Sequence, residues 1–327
     1  MSVSVILTVK NEAATLPHLL DSLMHQSLWP DEIVVCDGGS SDETLDILTL
    51  YQQWLPIKII SAPGANISEG RNRAIAAATG EVIAGTDGGV VLSPDWLREL
   101  VRPIEERNVS VVSGWFEADP YTDFEVVLGA TVLPDRDDIN PTDFLPSSRS
   151  IAFQKAAWAA AGGYPEWLDY CEDLIFDLNL RQLFGSFAFA PNAVAYYRPR
   201  RSLRAFARQY YLYARGDGKA NLWAKRHLVR YMTYLLALPF IGRLLWQGRK
   251  WGWLLLCGGG AAYCRRPAER LWPLTEGWSP AARTRAFALI PIVRLVGDVA
   301  KMLGYPVGLI WRWRQRQAAR HDANQDS

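Results

Sequence analysis

The chain has 327 residues, enough for one large α/β domain and something further, and its formal charge of +1 hides a division. Residues 1–225 hold 19 Lys and Arg against 29 Asp and Glu, a net of −10, whereas residues 226–327 hold 16 against 5, a net of +11. The second stretch carries 7 of the 14 tryptophans, and its cations flank apolar runs, which fits a membrane surface and excludes a nucleic-acid partner.

Residues 2–10 read as a strand, with no basic stretch ahead of an apolar one to make a secretory signal. Asn11 and Glu12 follow, then a helix over 13–25 whose Leu16, Leu19, Leu20 and Leu23 recur at helical spacing. Ile33-Val34-Val35-Cys36 is an apolar run without polar alternation, the mark of a strand buried on both faces, and it ends in Asp37-Gly38-Gly39. Ser40-Ser41-Asp42-Glu43 opens a helix to about residue 54. A third strand at 57–60 and an alanine-rich helix at 67–79 come next, the helix stopped by Gly80. The fourth strand, 81–86, runs into Asp87-Gly88-Gly89. Pro94 opens another helix, and a fifth strand covers 109–116.

This alternation predicts an α/β fold with a doubly wound, mostly parallel sheet. Asp37 and Asp87 then both stand at carboxyl ends of strands, where such sheets place their ligand crevice. Two acids followed by glycines suit a bound metal and a hydroxylated, phosphate-bearing ligand.

Residues 117–148 are polar and punctuated by proline, a long loop by composition. A short strand at 151–153, a helix to 160, the turn Gly162-Gly163-Tyr164-Pro165-Glu166, and a helix beginning at Glu172-Asp173 follow. Strands are expected at 187–190 and 194–197, and a basic, aromatic helix at 202–214. Pro146-Ser147-Ser148-Arg149-Ser150 reads as a substrate-facing loop, and Arg204, Arg208 and Arg215 with the tyrosines between them as a basic helix surface. The four cysteines lack metal-like spacing, which places the catalytic part in a reducing, cytoplasmic compartment. In the tail, 231–246 is apolar apart from Arg243, and 251–264 is uncharged but short for a span. Residues 286–311 put Arg294, Asp298 and Lys301 on one stripe, an amphipathic helix lying at an interface. The last eight residues, from Arg320, are polar and expected to fray. The domain division expected is 1–225, catalytic, and 226–327, a helical membrane-associated tail.

The motifs Ile6 to Glu12, Val34 to Thr44, Gly70-Arg71-Asn72, Gly80 to Asp87, Gly162 to Glu166 and Glu172-Asp173, in that order, resemble the family 2 glycosyltransferases, the inverting group with the GT-A fold. The resemblance covers roughly residues 1–215. It implies sugar transfer from a nucleotide-sugar donor to a glycan or lipid-linked acceptor at the cytoplasmic membrane face. It also implies a donor site made of Thr8, Asn11, Glu12, Asp37, Asp42, Arg71, Asn72 and Asp87. Asp37 and the backbone near Thr8 would hold the base and ribose, and Asp173 of the Glu172-Asp173 pair would deprotonate the acceptor. To the basic helix surface of Arg204, Arg208 and Arg215 the resemblance adds contact with a diphosphate or an anionic acceptor.

One departure stands out. Where the family motif reads Asp-x-Asp, this chain has Asp87-Gly88-Gly89, leaving a single carboxylate for a divalent magnesium or manganese ion. Such a metal is expected to bind weakly and only with nucleotide. Arg71 near a helix start opposes the dipole and is expected to face phosphate. Glu172 and Asp173 lie beside apolar Leu174, Ile175 and Phe176, surroundings that raise a carboxyl pKa and suit a base. Two rivals carry other signatures. A nucleotidyltransferase needs a glycine-rich loop after the first strand, where this chain has Val9-Lys10-Asn11-Glu12, and a catalytically silent scaffold or lipid-binding protein has no need of Glu172-Asp173.

Overall fold

In the computed structural model, which describes residues 1–325 and side chains as far as residue 318, eight strands form one sheet. The ending expected to fray falls outside the described side chains. In chain order come β1 (Val3–Val9), α1 (Leu16–Met24), β2 (Glu32–Asp37), α2 (Thr44–Tyr51), β3 (Ile57–Ser61) and α3 (Ile67–Ala77). Then follow β4 (Val82–Gly85), β5 (Val90–Leu92), α4 (Trp96–Arg107) and β6 (Val111–Ala118). After α5 (Asp123–Val132) and a 3₁₀ turn at Arg136–Asp138, the chain returns through β7 (Ile151–Gln154), α6 (Lys155–Ala160), α7 (Glu172–Phe184) and β8 (Ala188–Tyr197). The helices α8 (Leu203–Ala220), α9 (Ala224–Met232), α10 (Leu238–Trp246), α11 (Lys250–Leu274) and α12 (Pro280–Gln325) complete it, with a π-helical turn, Thr233–Ala237, between α9 and α10.

Two compact units result. The first holds Met1–Asp119 and Pro134–Arg198, with sheet order β3-β2-β1-β4-β7-β6-β8-β5. β1 pairs in parallel with β2 on one side and β4 on the other, so the direction of winding switches at β1. Val9 stands opposite Asp37 and Ile6 opposite Gly85, which brings Asp37 and Asp87 out on either side of the end of β1. That is the switch-point crevice of an open α/β sheet. One sheet face is covered by Leu16, Leu20, Trp96 and Leu100, the other by Ala74, Ile75, Phe176 and Leu180.

The sheet departs from the predicted elements at its far side. β7 runs antiparallel to both β4 and β6, a pairing that needs no crossover helix. β8 is one strand rather than two. Its register on β6 slips between Ser113 and Trp115, and the slip absorbs Pro191-Asn192, the punctuation that reads as a break in sequence. The loop expected at 117–148 contains α5, capped by Thr122, whose Oγ1 accepts the Glu125 N–H at 3.3 Å. Pro120 and Pro134 at its flanks disguise a buried helix as loop composition.

The second unit holds Pro120–Leu133 and the chain from Pro199 onward. Its boundary lies at residue 198 rather than 225 because α8 packs backbone to backbone along α12. A Cβ at Gly218 would strike the Tyr305 carbonyl, and at Gly304 and Gly308 the carbonyls of Tyr211 and Arg215. Small residues four apart permit such an approach. The stripe of Arg294, Asp298 and Lys301 on α12 turns inward instead of lying on a solvated face. Asp298 accepts from Arg230 Nε at 2.7 Å, from the Tyr234 hydroxyl at 3.0 Å and from the Tyr263 hydroxyl. Arg294 lies over the Tyr263 ring at 3.9 Å and Lys301 over Tyr210 at 4.5 Å. Ile292, Leu295, Val299, Leu303 and Ile310 are exposed on the other side. Among the described residues one helix, Ala224–Trp246, is long and apolar enough to cross a membrane, and none of its apolar window is buried.

Candidate active site

The loop after β1 and the loop after β2 are tied together at the sheet's carboxyl edge. Asn11 adopts φ +56°, and its backbone N–H donates to Ser40 Oγ at 2.9 Å while its Oδ1 accepts the Ser41 N–H at 2.8 Å. Asp42 accepts from the Ala13 N–H at 3.1 Å and the Thr44 hydroxyl at 2.5 Å, and these bonds hold its carboxyl below the usual carboxylate range. The Glu12 N–H donates to Thr44 Oγ1 at 2.9 Å, and Glu12 Oε2 accepts the Thr15 hydroxyl at 2.6 Å. Asp37 is 1 % exposed and accepts the N–H groups of Gly39 and Ser40 at 3.0 and 3.1 Å. Thr8 is half-buried, and Gly70 packs against it so closely that a Cβ there would lie 2.8 Å from its methyl. Thr8, Asn11, Glu12, Asp37 and Asp42 thus share one edge, with Asn11 and Asp42 spent on shaping the loops.

A chain of charges crosses from β4 to α7. A capping box starts α3: Asn66 Oδ1 accepts the Glu69 N–H at 3.0 Å and Glu69 Oε2 accepts the Asn66 N–H at 3.1 Å. Arg71, at the start of the second turn, is 3 % exposed. Its Nη2 meets Asp87 Oδ1 at 2.8 Å and its Nη1 meets Glu172 Oε1 at 2.7 Å. Burial alone disfavours the charged guanidinium, but the two carboxylates outweigh it and raise the Arg71 pKa. Arg71 is therefore a strut between strand end and helix start, each terminal nitrogen paired with a carboxylate.

Asp87 has a second cation. Arg149 Nε lies 3.6 Å from its Oδ2, with the guanidinium over the Tyr197 ring at 4.7 Å. Burial opposes ionisation of Asp87, yet Arg71 and Arg149 prevail and hold its carboxyl below the usual range. The donor set around Asp87 does not fit a divalent ion: one carboxylate with a guanidinium at each oxygen, and glycine at position 89. Among the described residues no group of three or more His, Cys, Asp or Glu side chains comes together to hold a metal.

Glu172 and Asp173 open α7 after Cys171, which has φ +65°. Glu172 is 6 % exposed; burial and the neighbouring Asp173 push its carboxyl up to about 7 against the pull of Arg71. Asp173 is half-buried, and its Oδ1 accepts the Leu174 N–H at 2.8 Å. One turn on, Asp177 is 2 % exposed with no partner for Oδ2, and burial together with Asp173 raises its pKa well above the usual value. In the sequence its one mark is the i,i+4 spacing from Asp173. Tyr164 stacks on Phe176 at 4.1 Å with Arg71 above its ring at 5.2 Å. Asn72 is fully engaged in pinning the glycine turn. Its Nδ2 donates to the Tyr164 carbonyl at 2.8 Å and to Glu166 Oε1 at 2.9 Å, and its Oδ1 accepts the Tyr164 N–H at 2.8 Å. Gly163 there has φ +73° and lies so near Asn72 that any Cβ would clash.

Comparison with known proteins matches residues 4–155 to the family model for glycosyl transferase family 2. An uncharacterized glycosyltransferase of Nostoc sp. is 36% identical over 111 residues, 33% of this chain and 34% of that protein. An O-antigen chain rhamnosyltransferase of Salmonella typhimurium is 22% identical over 59% of this chain and 65% of its own length. The chain thus spans from about a third to just under two thirds of these curated relatives. Among solved structures, S. aureus TarS 1-349 in complex with UDP-GlcNAc superposes with a TM-score of 0.53 at 18% identity, covering 96% of this chain and 92% of that one. A mannosyltransferase from Pyrobaculum calidifontis, in complex with GDP-Man and Mn2+, gives 0.56 at 18% identity, covering 94% and 87%. The likeness to these structures is one of fold, and that fold is GT-A.

Proposed function

The chain carries a family 2 glycosyltransferase domain, and from that premise we propose that it transfers a sugar from a nucleotide-sugar donor to an acceptor hydroxyl with inversion at the anomeric carbon. The observation that carries the reading is the Asp87–Arg71–Glu172 bridge, which ties the strand end on the donor side to the helix that presents Asp173. Asp37 and the backbone around Thr8 receive the nucleoside in the crevice at the end of β1. Asp173 takes the proton of the acceptor hydroxyl as its oxygen attacks the anomeric carbon. The bond to the departing diphosphate breaks on the opposite face, and its electron pair leaves with the phosphate oxygen. Glu172 and Arg71 act as positioning residues, because both are buried against each other. Asn11, Asp42 and Asn72 shape the loops around the donor.

The second unit supports a membrane partner. Arg294, Asp298 and Lys301 of α12 are engaged inside the helical cluster, while its outer side and the helix Ala224–Trp246 present apolar residues. Trp246, Trp251, Trp253 and Trp313 are exposed near arginines, the pairing found at the boundary of lipid and water. The acceptor in this reading is a saccharide or lipid-linked saccharide at the cytoplasmic membrane face.

Thermal shifts with a panel of nucleoside-diphosphate sugars test the assignment. One donor class is expected to raise the melting temperature and to release its nucleoside diphosphate on turnover with an envelope-glycan acceptor. Stabilisation by vesicles but by no nucleotide sugar would favour the lipid-binding scaffold instead.

A further inference from the structure

We infer that Arg149, rather than a metal ion, is the cation that receives the donor's diphosphate in this chain; the inference rests on the donor reading above and names how that site binds its anion. Asp87 is the residue that a metal would need, and its two oxygens already face Arg71 at 2.8 Å and Arg149 at 3.6 Å. A divalent ion bonded to that carboxylate would sit against two fixed positive charges.

Sterics do not explain the glycine at 89. Gly89 has no positive φ, and a Cβ built there meets only Glu12 Oε2 at 3.9 Å and Thr15 Oγ1 at 4.0 Å. The backbone would accept an aspartate, so a second carboxylate is absent where there is room for one. Glu12, the acid nearest that position, already accepts the Thr15 hydroxyl.

The two arginines differ in what they can do. Arg71 is locked between two carboxylates and 3 % exposed, whereas the Arg149 side chain is 24 % exposed, donates through Nη1 to Ser147 Oγ at 2.9 Å and lies 3.6 Å from Asp87. Backbone pairing delivers it: Ile151 stands opposite Gly85 on β4, so residue 149 arrives at the end of β4 beside Asp87. Its guanidinium carbon lies 4.7 Å from the centre of the Tyr197 ring, and a guanidinium is a planar fork that matches phosphate oxygens. On donor binding Arg149 turns from Asp87 to the diphosphate, and Asp87 keeps Arg71. As the anomeric C–O bond breaks, negative charge collects on the leaving phosphate oxygen beside Arg149, the place where a fixed cation lowers the barrier.

Calorimetry on the full chain with UDP and GDP, in EDTA and then in manganese, tests this without relying on turnover. The expected result is equal affinity in both buffers, a loss of about 10-fold or more in Arg149→Ala, and partial recovery in Arg149→Lys, all three proteins melting alike. Gly89→Asp is expected to introduce a manganese dependence that the natural chain lacks. Affinity that collapses in EDTA and returns with manganese, with Arg149→Ala unaffected, overturns the inference. Loss of a manganese-dependent component in Glu12→Gln overturns it as well and assigns the metal to Asp87 and Glu12. Absence of nucleoside diphosphate binding in either buffer removes the donor reading and the inference together.

Discussion

Glu172 and Asp173 are adjacent acids with different surroundings, the first buried against Arg71 and the second half-buried, and the proposed reading gives them different tasks. In the proposed role Asp173 acts on the acceptor, so Asp173→Asn is expected to cut turnover by about 10²–10⁴-fold with donor affinity unchanged; steady-state rates and donor titrations on one preparation check this. Asp37→Asn should do the reverse, weakening nucleotide binding. Glu172 gives a pH signature. Its folded pKa of about 7 lies above the ordinary 4.5, so the folded state holds the proton more tightly than the unfolded chain. The stability it contributes is complete below about pH 4.5 and is lost as the pH rises through about 7. Melting temperatures between pH 4.5 and 8 are expected to fall for the natural chain and to fall less steeply in Glu172→Gln, where the buried Asp177 still titrates upward.

At the scale of elements, the glycine turn and the α8–α12 seam are the points most sensitive to small changes. Asn72→Ala leaves the Tyr164 N–H and carbonyl without their partner and is expected to cost about 1–3 kcal/mol, read as a lowered denaturant midpoint. Gly308→Val drives a side chain into the α8 backbone and is expected to cost at least about 1–3 kcal/mol. The strand ends were legible in sequence, since a β-branched run stopping at Asp-Gly betrays both the strand and its buried ends. Asp37, Asp87 and the Glu172-Asp173 helix start followed from local pattern. Residues 146–150 read as a substrate-facing loop, but the place of Arg149 beside Asp87 did not follow, because it depends on an antiparallel pairing between residues 85 and 151 that no periodicity encodes. Nor did the inward turn of Arg294, Asp298 and Lys301, which needs partners from α8, α9, α11 and the π-helical turn to be known first. The polar stripe alone looks the same whether it faces water or other side chains.

For the whole molecule, the membrane reading predicts sedimentation of the full chain with membranes at low salt. Leu295→Glu with Leu303→Glu alters the exposed side of α12 without touching its charged interior. The double variant is expected to move to the soluble fraction with an unchanged melting temperature; retention on the membrane would assign anchoring to the helix Ala224–Trp246. The interrupted second unit has another consequence, in time. Val127 and Ala130 on α5 are buried by Leu271, Ala286 and Ile290, residues that lie up to 163 positions later in the chain. At about 5–20 residues per second, α5 leaves the ribosome on the order of ten to thirty seconds before its burial partners exist. During that interval the apolar helix is uncovered, and a holdase or the membrane itself has first access to it.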